Sequence, residues 1–221
     1  MNYQDAGFSL SWLMGGGILS FLALWWALRT APWHKIRDKE AQHVFLGMAV
    51  ILLLLWNSGA SLGDGITFHL LLVGLATLMF GAQFALICAV IALLGVTALG
   101  HAGWMAFGLN LLLMAVVPIL IVWWIAILAY RYLDRNFFVF VLLNGFFAAG
   151  VSTVVALLMS AAVMGLSGVH TLENLQYSFL PYIPLMAIPE GFVNGMLILA
   201  LVLMKPQWVS CFTDEQYLHG K

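Results

Sequence analysis

The sequence predicts an all-α polytopic membrane protein: about seven transmembrane helices in one bundle, N-terminus outside and C-terminus cytoplasmic. Composition is the first reason. The chain is 64% hydrophobic and 8% charged, against roughly 25% charged in an average soluble domain. The second reason is where the cations fall. All eight lie between long apolar runs: Arg29, Lys35, Arg37 and Lys39, then Arg131 and Arg135, then Lys205 and Lys221. Every one can be placed on the same side of a bilayer, and cytoplasmic loops carry the excess of Lys and Arg. A length of 221 residues suits one compact bundle, a single transmembrane domain over 1–221 with a short cytoplasmic tail at 205–221.

The elements follow in order. Residues 8–28 form the first span, ended by Arg29 and the polar stretch to Gln42. Residues 43–57 form a short second. Residues 66–99 are apolar for 34 positions, too long for one span of about 20 residues. A break near Gly81-Ala82-Gln83 turns this run into two helices and leaves all eight cations on one face. Without the break, Arg29–Lys39 and Arg131–Arg135 lie on opposite faces. The remaining spans are 109–130, 137–166 and 180–204. The outer connections, 58–65, about 99–108 and 167–179, contain no Lys or Arg and carry Asp64, His101, His170 and Glu173.

Several function classes are disfavoured. A net charge of −1 gives no reason to expect nucleic acid as a partner; the expected surroundings are membrane lipid. Cys88 and Cys211 make no disulfide framework. The first ten residues hold Asp5 and no cation, so the first apolar run is expected to be retained and not cleaved as a signal peptide. The chain contains no G-x-x-x-x-G-K-[ST] sequence and cannot hydrolyse ATP by that route. It is therefore expected not to be an enzyme, and active transport would draw energy from separate subunits.

Polar groups at membrane depth are expensive and mark candidate sites. His69 is placed at the outer opening of the third helix. Its imidazole suits cobalt, nickel, copper or zinc; taken alone, the residue favours a buried ring bonded to a backbone carbonyl or to Asp64. His101, within Gly100-His101-Ala102-Gly103-Trp104, lies in a stretch whose two glycines suit a sharp turn with close backbone approach; Trp104 suits an interfacial anchor. Asn110 opens the fifth helix, where asparagine commonly serves as interhelical glue, and Pro118 interrupts that helix's hydrogen-bond ladder. Asn144, Gly145, Gly150, Ser152 and Thr153 suggest close packing. Gly15-Gly16-Gly17 and Ala23-x-x-x-Ala27 permit close helix approach. Glu190 is the only acid well inside a span, flanked by Pro189 and followed by Asn194. Its position suggests a brace through Asn110 or Asn144 and not a metal ligand. On that reading Glu190→Gln keeps metal affinity, while Glu190→Ala costs stability.

Three stretches, in order, resemble one family: Gly65–Gly74 (GITFHLLLVG), Gly100–Asn110 (GHAGWMAFGLN) and Ala187–Gly195 (AIPEGFVNG). They are similar to the CbiM/NikM family, the membrane-embedded substrate-capture components of energy-coupling factor importers for cobalt and nickel. The resemblance runs over most of the chain, and its middle motif, with His101, Gly103, Gly108 and Asn110, is the most specific. It implies a metal site reached by the chain's own beginning. Family members start Met-His, and a terminal amine, the second residue's nitrogens and the histidine of the first motif make a planar nitrogen site. Here Asp5-Ala6-Gly7-Phe8 keeps the element that follows, but position 2 is Asn2. The implied ligands are His69, Met1 and Asn2, with His101 as a further candidate. Asp5, Asn110, Glu190 and Asn194 are implied as supporting residues.

The function expected is therefore the substrate-binding membrane component of a transition-metal importer in a bacterial inner membrane. Nickel or cobalt is the substrate, with copper as a further candidate. A separate transmembrane coupling subunit and ATPase subunits are the expected partners. Two alternatives remain open: a membrane-embedded metal-insertion or assembly factor using His101 and Glu190 as acid and base, and a metal-free noncatalytic subunit.

Overall fold

The computed structural model describes residues 2–5, 7–61, 67–134 and 136–212. It is built almost wholly of helices. α1 (Leu10–Thr30) ends where Ala31 turns extended, as the residue before a proline prefers. After a 3₁₀ turn at Trp33–Ile36 comes α2 (Lys39–Asn57). It begins four residues earlier than hydropathy suggested, because the Asp38 carboxylate accepts the N–H groups of Glu40 and Ala41 and starts the helix within the charged stretch.

The long apolar run divides as expected. α3 (Val73–Phe80) and α4 (Ala82–Ala98) meet at Gly81, whose φ of 85° is open to glycine and costly for other residues. The start of α3 differs from expectation. Residues 67–72 are not helical: β1 (Ala60–Ser61) and β2 (Thr67–Phe68) form a two-stranded antiparallel pair, and Leu72 adopts a left-handed conformation at φ 53°. His69 therefore precedes α3 and does not belong to it. With only eight residues, α3 is about 12 Å long and cannot cross a bilayer alone.

α5 (Phe107–Tyr132) and α6 (Phe137–Leu166) follow, both continuous and apolar. α5 widens to a π-helix over Leu112–Val116, just before Pro118. Proline has no N–H to offer the carbonyl four residues back, so the ladder is reset there. α6 carries a second π stretch at Phe140–Phe147. A short α7 (Leu172–Ser178), capped by Thr171, leads to α8 (Tyr182–Met204), which holds Pro189 in its interior. α1, α2, α5, α6 and α8 are each long and apolar enough to span a membrane; α4, with 17 residues, is slightly shorter.

Small residues bring the helices together. A Cβ on Gly16 would sit 2.8 Å from the Leu109 Cα, and one on Gly108 would collide with the Gly17 backbone. Ser20 Oγ donates to the Gly108 carbonyl at 2.6 Å across this contact. Gly145 packs against Gly195, and Gly150 against the Ala187 carbonyl. Backbones must approach closely here because burial between helices offers little driving force in lipid, so association relies on van der Waals packing. The outward faces stay apolar: Met14, Phe21 and Trp25 on α1 are exposed.

After α8 the chain returns beneath α3. Ser210 N–H donates to the Met79 carbonyl at 2.9 Å and Cys211 N–H to Leu78 at 3.3 Å. These are terminal carbonyls that α3 itself leaves without partners. Trp208 Nε1 donates to Glu40 at 2.7 Å, and Gln83 lies 3.5 Å from the Thr30 hydroxyl. One end of the bundle thus gathers the ends of α1, α2, α3, α4 and α8. Arg29, Lys35, Arg37, Lys39 and Lys205 belong to it. With that end in the cytoplasm, cysteines placed at His34 and Leu133 are expected to react with an impermeant maleimide only after permeabilisation. One at Trp104, exposed at the other end, is expected to react in intact cells. Labelling of positions 34 and 133 from opposite sides would break the seven-helix topology.

Candidate metal centre

The site grows from the shortness of α3. Because α3 starts partway through the bundle, the main-chain N–H groups leading into it sit far from bulk water, and each would cost several kcal/mol unsatisfied in hydrocarbon. Glu190, buried eight residues into α8, supplies the acceptors. Leu71 N–H donates to Oε2 at 2.7 Å and Leu72 N–H to Oε1 at 2.6 Å. Asn194 Nδ2 donates to Oε1 at 3.0 Å and to the Glu190 carbonyl at 2.7 Å. A carboxylate at a helix N-terminus is further favoured by the helix dipole. Magnitudes fit: left-handed Leu72 costs about 1–3 kcal/mol, and leaving the Leu71 and Leu72 N–H groups unpaired would cost about 1–3 kcal/mol each.

The expected brace to Asn110 or Asn144 is not what forms. Glu190 holds the main chain leading into α3. The Asn144 Oδ1 is buried without a hydrogen-bond partner among the described residues, and Asn110 is used elsewhere.

Just before this segment stands His69, partly buried. Its Nδ1 lies 3.1 Å from the Leu70 carbonyl, and its Nε2 lies 3.2 Å from the Asn2 Oδ1. Trp56, fully buried at the end of α2, supports the arrangement from three directions. Its indole donates to the Leu71 carbonyl at 3.0 Å, its own carbonyl accepts Asn2 Nδ2 at 3.0 Å, and its ring centroid lies 6.0 Å from that of His69.

The segment from Asn2 to Asp5 is laid across the bundle and clamped. Asn110 acts on it as a strand would: Tyr3 N–H donates to Asn110 Oδ1 at 2.8 Å, and Asn110 Nδ2 donates to the Tyr3 carbonyl at 2.9 Å. The same carbonyl accepts Gly103 N–H at 3.0 Å. Asp5 accepts Ala106 N–H at 2.9 Å. Gly103 must be glycine, since a Cβ there would overlap the Asp5 carboxylate. Gly100, at φ 82°, makes the turn. Asn110 is therefore not interhelical glue; it ties an extended segment to α5, because its amide matches a peptide's donor and acceptor. Asn110→Leu is expected to leave the bundle folded while freeing residues 2–5, read as faster amide exchange at Tyr3 and weaker metal binding.

His101 is exposed and borders a cleft of about 310 Å³ with Asn2, Gln4, Trp56, Asn57, Gly59, Thr67 and Gly100. No hydrogen bond joins His101 to His69 among the described residues. The structure thus unites His69, Asn2, Asn110 and Asp5 around one segment, sets Glu190 and Asn194 beneath it, and leaves His101 at the rim. Met1, Asp64 and Arg135 lie outside the described residues. Among the described residues, no three His, Cys, Asp or Glu side chains gather as a metal cluster. The convergent donors are one imidazole and one amide. Trp56 was not legible as a site residue, because a tryptophan at a span's end ordinarily marks the membrane interface. Its one signal is its position where α2 stops before the outer connection.

Comparison with known proteins agrees with this architecture. No curated protein matches the chain. Two solved structures share its fold, each at 20% identity. One, described as a truncated transition metal transporter, has a TM-score of 0.74 and covers 92% of this chain and 99% of its own. The other, described as a transition metal transporter, has a TM-score of 0.73 and covers 91% and 92%. The profile of the CbiM family, described as the cobalt uptake substrate-specific transmembrane region, matches residues 2–208. A match over nearly the whole chain, on a bundle whose beginning is threaded to His69, places this protein in the CbiM family of metal transporter components.

Proposed function

We propose that this chain is the substrate-binding membrane component of an energy-coupling factor importer for a transition-metal ion, cobalt or nickel, in a bacterial inner membrane. The observation that carries the reading is the setting of His69. A metal-binding histidine ordinarily donates its other ring N–H to a backbone carbonyl or carboxylate, which fixes the tautomer. Here Nδ1 lies 3.1 Å from the Leu70 carbonyl, a contact able to fix the tautomer that leaves Nε2 free for an ion, and Nε2 lies 3.2 Å from the Asn2 Oδ1. His69 and Asn2 are the proposed ligands, with Met1 as the third. Glu190, Asn194, Asn110 and Asp5 hold the two strands of the site in place. His101, at the cleft beside Asn2, lies on the route by which an ion reaches it.

Separate ATPase and coupling subunits supply the energy on this reading. The chain holds the ion from the outer side, and release requires residues 2–5 or the 69–72 segment to move. An acid–base pairing of His101 with Glu190 finds no support in their positions, since Glu190 is engaged by Leu71, Leu72 and Asn194. Cellular accumulation of cobalt and nickel tests the proposal. Deleting the gene is expected to lower uptake of at least one of the two, and restoring it to recover uptake. Equal accumulation of both metals in both strains would overturn it.

A further inference from the structure

We propose that the cleft between α2 and α8, at the cation-rich end of the bundle, is a binding site for an anionic phospholipid, with one acyl chain against α3 and the phosphate at Lys35 and Lys205. The inference is independent of metal binding.

The cleft follows from the shortness of α3. α2 packs mainly on α4, and α8 on α6. The eight-residue α3 between them is recessed. Leu75 and Met79 are buried and, with Leu72, line the floor of an open cleft of about 670 Å³. Gly47 and Ile51 of α2 form one wall, and Leu197 and Leu201 of α8 the other. Gly47 leaves a notch in its wall: a Cβ built there meets no atom within 4 Å. An apolar cleft facing hydrocarbon is filled by lipid or by another helix, since van der Waals packing is the attraction available there.

Length and charge select lipid. From Glu40 to Ile51 the cleft runs about 16 Å along α2, at about 1.5 Å per residue. One leaflet supplies about 15 Å of hydrocarbon, half of a core about 30 Å thick. At the Glu40 end the cleft continues into a second, of about 510 Å³, through the shared residues Val44, Met79 and Trp208. Lys35 and Ser210 line that mouth. Lys205 Nζ lies 5.7 Å from the centroid of the Trp208 ring. Two acids stand there as well, and both have bonds within the protein. Asp38 caps α2, and Glu40 accepts the Trp208 indole. Both lysines are exposed. An apolar trough ending in lysines at the membrane surface matches an acyl chain beneath a phosphate; basic pockets between helices on the cytoplasmic side hold anionic headgroups. A transmembrane helix would match the apolar walls but leave the lysines without a counter-charge.

The test is native mass spectrometry of the full chain, delipidated in detergent, beside a thermal melt. The chain is offered phosphatidylglycerol and phosphatidylethanolamine carrying the same acyl chains. Wild type is expected to retain one phosphatidylglycerol in preference and to melt higher with it. Lys35→Gln combined with Lys205→Gln is expected to weaken that retention at least about fivefold, as about 1 kcal/mol per cation near the surface implies. Gly47→Trp, which fills the notch, is expected to abolish retention of both lipids. Equal retention of the two lipids by wild type, or no effect of the lysine changes, would overturn the proposal; the lysine variants decide it where Gly47→Trp does not fold. A folded Gly47→Trp that retains phosphatidylglycerol as wild type does would place the lipid elsewhere and overturn it too. If wild type retains neither lipid, the proposal fails and a partner's helix becomes the occupant to seek.

Discussion

His69→Ala is expected to reduce cobalt and nickel affinity by at least about 100-fold while leaving the bundle folded. Among the described residues, the imidazole is the only strong nitrogen side-chain donor at the junction of residues 2–5 with the 69–72 segment. Its partners, Leu70 and Asn2, are held by other bonds: Leu71 and Leu72 by Glu190, Asn2 by Trp56. Removing the ring therefore deletes a donor without untying the backbone. Loss of a ligand exceeds the 10- to 100-fold that supporting residues typically carry. Calorimetric titration beside a thermal melt checks this. Unchanged affinity would show that the metal is held elsewhere.

Glu190→Ala is expected to have the largest effect on stability. It strips acceptors from two main-chain N–H groups, Leu71 and Leu72, each costing about 1–3 kcal/mol when buried unpaired. It also leaves left-handed Leu72 without compensation. The sequence suggested that glutamine would keep shape and hydrogen bonding and leave metal affinity nearly intact. The structure argues otherwise, because both carboxylate oxygens accept from the backbone and a glutamine has one acceptor. Its NH₂ group would face an N–H. Glu190→Gln is therefore expected to lower the melting temperature as well, by about half as much as alanine, and to weaken metal binding only through the displaced 69–72 segment. A glutamine variant with a wild-type melt and no metal binding would identify Glu190 as a ligand or an essential charge.

Much of the architecture was legible because lipid imposes it. The cation clusters set the number and direction of helices, and Gly81 marked the break that keeps Arg29–Lys39 and Arg131 at one end. The triple glycine of α1 and the Gly100 and Gly103 pair announced close approach, which the Gly108 contact and the Asp5 segment realise. These are local or one-dimensional signals: hydropathy, charge and the absence of a side chain each act at their own position.

Tertiary structure alone decided how the polar residues pair. Glu190 and Leu72 are 118 positions apart, and Asn110 and Tyr3 are 107 apart; nothing in either neighbourhood names its partner. The residues before Val73 looked helical by hydropathy, yet they are extended, because a backbone whose N–H groups are satisfied by a distant carboxylate has no need of its own helix. Trp56, which no sequence signal singled out, supports His69 for the same reason. In a bundle without water, each donor must find an acceptor somewhere in the protein, and that search is settled by the fold and not by the order of residues.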